Sequence, residues 1–445
     1  MADAVFSVDA GRDYTVLGID YPRQIEVRLY VPSEPGDYPV IFYSHGSTTN
    51  PGIAEATPEA LAAQGYIVVA PMHLDSLGMP LTSLFFPRSN PQSTVERVLD
   101  MKALGDQAAS FLPANLPEGY TANLDTPIIA GHSQGAFTAQ LLIGTDSAQA
   151  AFAGSHDPFF EAAILISPQG VPDSGLNQIV GLSKEEAAER VNGEYWTGVY
   201  YEDAQNHSWT NVTVPVLSLT GTADDGDAGQ TVQHRKDAFE FSPSGAKHLA
   251  VIDGANHFDM GTGGASAEVG EVAGDFLDAY VKGDTGKLAA LNDVQTYAQT
   301  RPWLAEIFEK AGNGTGFIRD WGSVRVGADT DDVILAGPGT DSLTGGGGDD
   351  VFVFNPGDSG VLALTRDKIR DFDDNGDDVI DLTGFGSLTY IGSANFTAAG
   401  QVRAIQSGDH VLVQINTTGI GTAESVIELS NTSLSQIAAG DFWFA

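Results

Sequence analysis

T-P-I-I-A-G-H-S-Q-G-A-F, residues Thr126 to Phe137, is the stretch from which the fold is predicted. The apolar run Ile128–Ala130 predicts a buried strand, and the Ala/Leu/Gln-rich run Ala136–Leu142 predicts a helix. Between them lies the pattern G-x-S-x-G, which in this context holds its serine on a sharp, strained turn with the hydroxyl exposed. Small residues on either side let neighbouring backbone approach closely. We therefore predict Ser133 as a nucleophile; the alternative is a glycine-rich turn with an incidental serine.

The composition limits the class of protein. A chain of 445 residues with 42% hydrophobic residues predicts two domains and a large core, and no apolar run approaches membrane-spanning length. The 59 acidic against 21 basic residues give a formal net charge of -38. Such a surface repels polyanions, so we expect neither a nucleic-acid partner nor stable membrane insertion. Cysteine is absent from the sequence, which excludes disulfides and thiol chemistry.

Apolar strands alternate with helical stretches from Tyr14 to about Thr285, which predicts an α/β fold with a mostly parallel sheet covered by helices. The predicted strands are Tyr14–Asp20, Ile25–Val31, Pro39–Tyr43, Tyr66–Ala70, Ala162–Ile166, Val214–Leu219 and His248–Ile252, and the predicted helices are Thr57–Gln64, Ser93–Phe111, Ala267–Lys282 and Leu288–Lys310. We predict a first domain over 1–315, with a lid-like insert at 170–211 and a helical connector at 286–315, and a second domain over 316–445.

Three further motifs accompany the serine pattern. They are the strand ends S-H-G at Ser44–Gly46 and I-S-P-Q-G at Ile166–Gly170, and the sequence K-G-D at Lys282–Asp284. With them the chain resembles the α/β-hydrolase superfamily, in the branch of dienelactone-hydrolase-like esterases, platelet-activating-factor acetylhydrolases, chlorophyllases and cutinase-like polyesterases. The resemblance implies a doubly wound sheet and an ester hydrolase that needs no cofactor for catalysis. A serine nucleophile, where dienelactone hydrolases have cysteine, favours ordinary ester hydrolysis.

The resemblance also implies a catalytic triad in the chain order serine, acid, histidine. Strand Val214–Leu219 is followed by T-G-T-A-D-D, in which Asp224 fits the usual spacing better and Asp225 is the fallback. The last strand is followed by D-G-A-N-H-F, which presents His257. A serine hydroxyl needs a base within hydrogen-bond reach, and a carboxylate holds that base in the correct tautomer. The alternative is that the two aspartates cap a loop or belong to the acidic surface.

The oxyanion of the reaction needs preorganised backbone donors. We predict the backbone N–H groups of Gln134 and Ser47, with Thr48 as the alternative to Ser47. The histidines that flank the site, His132 and His45, are expected to be structural.

The substrate is predicted less directly. Four aromatic residues of the insert and of the loop at 74–93 are candidates for an apolar substrate cleft: Phe85, Phe86, Trp196 and Trp209. They favour a hydrophobic or polymeric ester, as in lipases, cutinases and polyesterases. An equally weighted alternative is that these side chains pack in the core. Rival functions are a serine peptidase or acyltransferase on the same fold, and a non-catalytic calcium-dependent surface or adhesion protein.

The composition changes at Gly327 to glycine, aspartate and aliphatic residues. Three nine-residue units follow without a gap, at 327–335, 336–344 and 345–353, and they match G-G-x-G-x-D-x-U-x. They resemble the calcium-binding parallel β-roll of RTX (repeats-in-toxin) proteins. The alternative is a disordered Gly/Asp linker.

The roll implies calcium ligands and core positions. The sixth positions, Asp332, Asp341 and Asp350, would supply anionic oxygen to structural Ca²⁺, and the apolar eighth positions would face the core. Unit one would pair with unit three through Asp332 and Asp350. Asp341 would face a fourth unit, in which the register puts Ser359 at the key position.

The remainder of the chain resembles secreted proteins. Asp367–Phe372 and Asp377–Leu382 resemble the C-terminal β-sandwich of serralysin-type proteases, and Asp441–Ala445, an acid followed by hydrophobic residues, resembles the uncleaved signal of type I secretion. The N-terminus has no charged-then-apolar signal peptide. We therefore expect a secreted, extracellular protein that is exported by a type I secretion apparatus.

Overall fold

The computed structural model describes residues 3–16, 19–47, 49–77, 91–145, 157–170, 209, 211–225, 231–310, 315–318, 324–328, 330–337, 339–372, 378–419 and 421–445. The chain divides into two compact units, Met1–Leu291 and Asn292–Ala445. The second unit thus begins before the boundary at 315 that the sequence predicts. In the described residues, no helix has both the length and the apolar character needed to cross a membrane.

The first unit consists of a central sheet and the helices between its strands. Its strands are β1 (Ala4–Val16), β2 (Ile19–Tyr30), β3 (Asp37–Ser44), β4 (Ile67–Pro71), β5 (Thr121–His132), β6 (Ala162–Ile166), β7 (Val216–Ala223) and β8 (Lys247–Asn256). Its helices are α1 (Ala56–Ala63), α2 (Pro91–Asn115), α3 (Gln134–Leu142), α4 (Val232–Glu240), α5 (His257–Thr262) and α6 (Ser266–Tyr280), followed by α7 (Thr285–Asn292) at its end.

The strands lie in the order β1-β2-β4-β3-β5-β6-β7-β8. The first two strands form an antiparallel hairpin whose second strand pairs antiparallel with β4, and all later pairs are parallel. This is the doubly wound, mostly parallel sheet of the α/β-hydrolase fold. Chain order reverses at β3, which lies between β4 and β5, and open α/β sheets bind their ligands at the carboxyl ends of strands at such a switch point.

The central strands are short apolar runs that are buried along their whole length. Every residue of β4 (I-V-V-A-P) and of β6 (A-A-I-L-I) is buried. Strands covered on both faces need apolar residues at successive positions, which explains why these two were predicted at nearly their observed bounds.

Two predictions for the edges of this unit were wrong. The predicted strand Tyr14–Asp20 is not a single strand, because β1 ends at Val16 and β2 begins at Ile19. The predicted connector helix contains α7 and α8 (Val294–Gln299), but Leu304–Glu309 forms a strand, β9. All six residues of β9 are buried. The six-residue segment L-A-E-I-F-E is too short for its pattern to distinguish strand from helix.

The second unit is all-β after α8. Its further strands are β10 (Thr315–Ile318), β11 (Val324–Val326), β12 (Asp331–Leu335), β13 (Ser342–Thr344), β14 (Val351–Val353), β15 (Lys368–Ile369), β16 (Val379–Asp381), β17 (Thr389–Tyr390), β18 (Gln401–Ser407), β19 (His410–Asn416), β20 (Ser425–Leu429) and β21 (Phe442–Trp443).

Successive strands of this unit alternate between two sheets. One sheet has the parallel order β10-β12-β14-β16-β21, and the other has β11-β13-β15-β20 in parallel and then the antiparallel strands β19 and β18. Aromatic pairs join the sheets, with ring centroids 6.3 Å apart for Phe352 and Phe372 and 5.1 Å apart for Tyr390 and Phe442. The predicted all-β domain with a parallel roll is therefore present.

The roll is longer than the three contiguous units. Asp332 N–H donates to Asp350, 18 residues later, whereas Asp341 N–H donates to Asp367, 26 residues later. Asp367 therefore takes the position that the sequence register gave to Ser359, and that prediction was wrong because the chain loops out between the two turns. The Ser359 hydroxyl instead accepts from Asp367 N–H at 2.8 Å.

Later segments add further turns. Asp350 N–H donates to Asp378, and Val379–Asp381 pairs with β14. The segments that resemble a serralysin sandwich thus supply roll strands β15 and β16. At the end of the chain, Phe442 aligns with Ile380 in β16 and is 5% exposed. The predicted core positions Ile334, Leu343 and Phe352 are fully buried.

Candidate active site

The serine turn has the strained geometry that its motif predicts. Ser133 lies between β5 and α3 with φ 55° and ψ -119°, a backbone region that non-glycine residues rarely adopt and that clusters at functional sites. Its N–H donates to the Ile166 carbonyl at 2.9 Å. A Cβ on Gly135 would lie 1.8 Å from the Ser44 carbonyl oxygen, so only glycine allows this approach of α3 to the end of β3.

A capping box positions His257. Asn256 is the N-cap of α5, and its side chain accepts from the N–H groups of Phe258 and Asp259, while Asp259 accepts from Asn256 N–H. This N-x-x-D pattern makes His257 the first residue of the helix, directly beyond β8. A Cβ on Gly221 would lie 2.1 Å from the Ala255 carbonyl oxygen, so this glycine lets the ends of β7 and β8 approach.

Three side chains meet at the carboxyl ends of β5, β7 and β8. His257 Nε2 lies 2.9 Å from Ser133 Oγ, and His257 Nδ1 lies 2.7 Å from Asp224 Oδ1. Because a carboxylate only accepts, His257 carries its proton on Nδ1, and Nε2 is left to accept the serine O–H. All three residues are buried, with Ser133 4% and His257 8% exposed.

The two adjacent aspartates have different surroundings. Asp224 contacts the histidine and also accepts from Thr220 Oγ1 at 2.9 Å, whereas Asp225 Oδ1 accepts from Val232 N–H at 2.9 Å. Asp225 therefore lies at the start of α4, and the geometry favours Asp224 as the partner of His257.

A buried arginine that sequence reasoning missed lies beside the acid. Arg235 Nε is 3.5 Å from Asp224 Oδ1, and its guanidinium donates to the carbonyls of Ser167 and Pro168. Burial alone would raise the pKa of Asp224, but the hydrogen bond to His257 and the charge of Arg235 outweigh it and lower the pKa. The arginine lies within an ordinary helix, α4, and no motif distinguishes it.

The loop with the predicted oxyanion donor lies against the serine turn. Ser44, the last residue of β3, pairs with Gly131, and a Cβ on Gly46 would lie 2.9 Å from His132 Nδ1. Ser47 follows this contact, and Gln134 is the first residue of α3. The alternative donor Thr48 lies outside the described residues.

The flanking histidines have structural contacts. His132 Nε2–H donates to the His257 carbonyl at 2.9 Å, and burial, with the neighbouring His257 second, lowers its pKa to about 3. His45 lies between Gly46 O, 2.8 Å from Nδ1, and Ser76 Oγ, 2.7 Å from Nε2. In the described residues, no hydrogen bond from either ring to the serine hydroxyl is observed.

Of the four aromatic residues predicted for the substrate cleft, only Trp209 lies within the described residues. Phe85, Phe86 and Trp196 lie outside the described residues, as does 171–208 of the insert. Trp209 is 1% exposed and stacks on Phe241 with ring centroids 5.9 Å apart. Its assignment to a substrate cleft was wrong, since the indole packs in the hydrophobic core, which was the alternative that the sequence left open.

The roll aspartates are buried and close to backbone donors. Asp332 accepts from Ala328 N–H and Thr330 Oγ1, and Asp350 accepts from Asp332 N–H. Burial raises the pKa of Asp332 well above its usual range and that of Asp350 to about 8. A Cβ on Gly345 would lie 2.0 Å from Asp350 Oδ2, so only glycine leaves room for the Asp350 carboxylate at this position.

These features fit a divalent cation, because a cation offsets the cost of burying carboxylates. In the described part of the chain, no group of three or more His, Cys, Asp and Glu side chains could hold a metal by itself. A calcium ion here would therefore need backbone carbonyls as further ligands.

Residues 16–155 match the chlorophyllase family model. The matched region contains Ser47, Ser133 and Gln134, but ends before Asp224 and His257. No match was found among curated proteins. Together with the sheet order, the family match supports an ester hydrolase of the α/β-hydrolase fold.

Two solved structures are similar to part of the chain. One is a 2,6-dihydroxy-pseudo-oxynicotine hydrolase, with 16% identity, a TM-score of 0.37, and coverage of 61% of this chain and 68% of that chain. The other is a propionate-bound thermophilic esterase, Est2, from the Planctomycetes species Thermogutta terrifontis, with 18% identity, a TM-score of 0.41, and coverage of 62% of this chain and 94% of that chain.

Proposed function

We propose that this protein is a serine carboxylic ester hydrolase that acts through Ser133, His257 and Asp224. The observation that carries the proposal is the unbroken hydrogen-bonded series from Ser133 Oγ through His257 to Asp224, at 2.9 and 2.7 Å, on a strained turn. The separations lie within the range over which a base can take a proton from a nucleophile.

Acylation begins when Ser133 Oγ attacks the ester carbonyl carbon as His257 Nε2 takes the hydroxyl proton. Asp224 stabilises the resulting imidazolium and stays ionised, and the lowered pKa of its carboxyl group favours that role. The tetrahedral oxyanion would accept from the N–H groups of Ser47 and Gln134. His257 then returns the proton to the leaving alcohol, and an acyl-enzyme remains.

Deacylation repeats these steps with water. His257 takes a proton from a water molecule that attacks the acyl carbon, and the second tetrahedral intermediate collapses to the carboxylic acid. Ser133 Oγ recovers its proton from the imidazolium. No metal or organic cofactor is required for this sequence.

A hydrophobic or polymeric ester is the proposed substrate. Phe258, which follows the base directly, is 66% exposed, and its ring centroid lies 6.2 Å from that of His257. An exposed aromatic ring at the mouth of a site favours an apolar acyl or aromatic group beside it.

We further propose that the second unit binds structural Ca²⁺ and that the protein is exported by a type I secretion apparatus. Buried Asp332 and Asp350 would be ligands, and Asp341, bonded through its N–H to Asp367, would serve a second site on the other edge. Low calcium would leave the acidic repeats unfolded for export, and calcium outside the cell would fold them.

The proposed activity is tested with short and medium p-nitrophenyl esters. Ser133→Ala should lower kcat by about 10⁶-fold and abolish labelling by a fluorophosphonate, because the nucleophile is lost. The matched control is Ser242→Ala, which removes another buried serine hydroxyl, bonded to the Ala238 carbonyl, and should keep the wild-type rate. Equal rates in wild type and Ser133→Ala would refute the proposal.

The same material separates the rival functions. Faster turnover of peptides than of esters would indicate a peptidase, and transfer to an added alcohol in preference to water would indicate an acyltransferase. Wild-type protein inert to both esters and fluorophosphonate would favour a binding protein.

A further inference from the structure

The peptide group between Gly46 and Ser47 is held by several donors on its carbonyl side. The Gly46 carbonyl lies 2.8 Å from His45 Nδ1, 2.9 Å from Thr49 Oγ1 and 3.4 Å from Arg97 Nη2. The neighbouring carbonyl, of His45, accepts from Arg97 Nη1 at 2.5 Å. All the donors are buried groups of the protein.

This bonding fixes the direction of the next amide. A trans peptide is planar, so its N–H points opposite to its C=O. Because the Gly46 carbonyl faces Arg97 and Thr49, Ser47 N–H faces away from them. The loop lies against the serine turn, since a Cβ on Gly46 would lie 2.9 Å from Nδ1 of His132, the residue before Ser133.

We propose that Arg97 and Asp75 are positioning residues that aim the Ser47 amide at the oxyanion of the reaction. Asp75 accepts from Arg97 Nε at 3.0 Å with both carboxylate oxygens, and each of the two side chains is 1% exposed. The Nε–H is thus shared between both oxygens, while Nη1 and Nη2 face the His45 and Gly46 carbonyls, so the guanidinium is held from two sides. Arg97 projects from α2 and Asp75 follows β4, so two separate elements hold the loop that follows β3.

His45 contributes to the same arrangement. Burial, with the charge of Arg97 second, lowers the pKa of His45 well below its usual value, so the ring is neutral. With a single ring proton, Nδ1–H donates to Gly46 O, and Nε2 accepts the O–H of Ser76. A neutral imidazole thus adds a donor on the carbonyl side of the peptide without adding a buried charge.

This inference rests on the proposed function, and it predicts a specific kinetic signature. Direct loss of an oxyanion donor costs about 10²–10³ in kcat, so a misdirected donor should cost about 10–10². Substrate affinity should change little, because the donor acts on the transition state.

The experiment compares an ester with its thionoester, in which sulfur replaces the carbonyl oxygen. Sulfur is a poor hydrogen-bond acceptor, so the oxo-to-thiono rate ratio reports the oxyanion donors. Arg97→Met should lower kcat on the oxo-ester and lower this ratio by a similar factor, with KM nearly unchanged. Arg97→Lys, which keeps a charge and a donor, should recover part of the ratio.

Arg23→Met is the matched control. It removes another buried arginine, paired with Asp100 at 2.6 Å, for which no bond to the loop at 45–47 is observed in the described residues. It should leave the ratio at the wild-type value. If Arg97→Met does not fold, Thr49→Val removes one donor to Gly46 O at nearly constant volume and should lower the ratio by about threefold to tenfold.

The outcomes separate the two proposals. An active wild type whose ratio is the same in Arg97→Met, or in Thr49→Val if the arginine variant does not fold, would overturn the positioning role and leave the esterase proposal standing. An equal loss of kcat on the oxo-ester and on the thionoester in Arg97→Met would also overturn the positioning role. A wild type inert to esters and to fluorophosphonate would overturn both.

Discussion

Buried carboxylates have different partners in the two units of the molecule. In the first unit, three buried aspartates lie beside arginines: Asp100 beside Arg23 at 2.6 Å, Asp75 beside Arg97 at 3.0 Å and Asp224 beside Arg235 at 3.5 Å. In the roll, the hydrogen-bond donors recorded for Asp332 and Asp350 are backbone N–H groups and a threonine hydroxyl, none of which carries a charge.

The pKa values follow this difference. Burial alone would raise the pKa of Asp100 and of Asp224, but for Asp100 the charge of Arg23 and the contacts with His73 more than offset it, and the pKa is lowered. For Asp332 and Asp350 burial prevails and the pKa values are raised. The three aspartates of the first unit thus have counter-charges within the protein, whereas a cation from solution would favour the ionised forms of Asp332 and Asp350.

Among the tests of this comparison, the largest expected effect concerns the acid of the proposed triad. Asp224→Asn should lower kcat by about 10⁴-fold while the protein stays folded, because the amide no longer stabilises the imidazolium or selects its tautomer. The measurement is kcat on a p-nitrophenyl ester together with the melting temperature.

Asp225→Asn is the control at the next position, where the carboxylate accepts from Val232 N–H. It should retain nearly all of the rate. A larger loss for this variant than for Asp224→Asn would reverse the assignment of the two aspartates.

The second effect concerns calcium and is measured by calorimetry of the whole chain. At a free calcium concentration of 100 times Kd, one bound ion should stabilise the second unit by about 2.7 kcal/mol, and EDTA should remove this gain. The transition of the first unit should not respond, because Asp75, Asp100 and Asp224 already have arginine partners. Asp350→Asn should abolish most of the calcium response. A calcium response that is unchanged in this variant would contradict the assignment of the ligand.

The third effect concerns the pH dependence of the calcium-free roll. The pKa of Asp350 is about 8 in the folded unit and about 4 in an unfolded chain, so the folded state binds its proton more tightly. This contribution to stability is complete below about pH 4 and is lost as the pH rises through about 8. In EDTA, the urea midpoint of the second unit should be higher at about pH 5 than at about pH 9.

Saturating calcium should remove or reverse this trend, because the cation binds the ionised carboxylate. Asp350→Asn should flatten it in EDTA. A midpoint that rises with pH in the calcium-free wild type would show that other groups determine the titration.

Much of the first unit could be predicted because its motifs are local. The G-x-S-x-G turn is specified by glycines that lie within five residues of one another, and the capping box at Asn256 lies within four. Both predicted side-chain partners of His257 lie within bonding distance of its ring. Arg235 and Arg97 could not be predicted, because their partners are far away in the chain and no periodic pattern distinguishes a buried arginine from an exposed one.

Orientation and register were the other failures. Composition marks Trp209 as an aromatic residue near the insert, but only packing against Phe241 determines that it faces the core. The nine-residue spacing predicted the first three repeats correctly. Continued further, it put Ser359 opposite Asp341, although Asp367 accepts the Asp341 N–H. A strand register is read from uninterrupted spacing, and a surface loop between two turns breaks that spacing without breaking the fold.

The loop between Val353 and Asp367 affects how the ends of a parallel β-roll can be found from sequence repeats. Because turns separated by 26 and 28 residues stack as readily here as those separated by 18, tandem periodicity is sufficient but not necessary evidence for this architecture. A scan that requires adjacent copies would end its annotation near residue 353, although stacking continues to Trp443. A chain truncated at that point would lose Ile369 and the later strands, and Phe352 would become exposed to solvent.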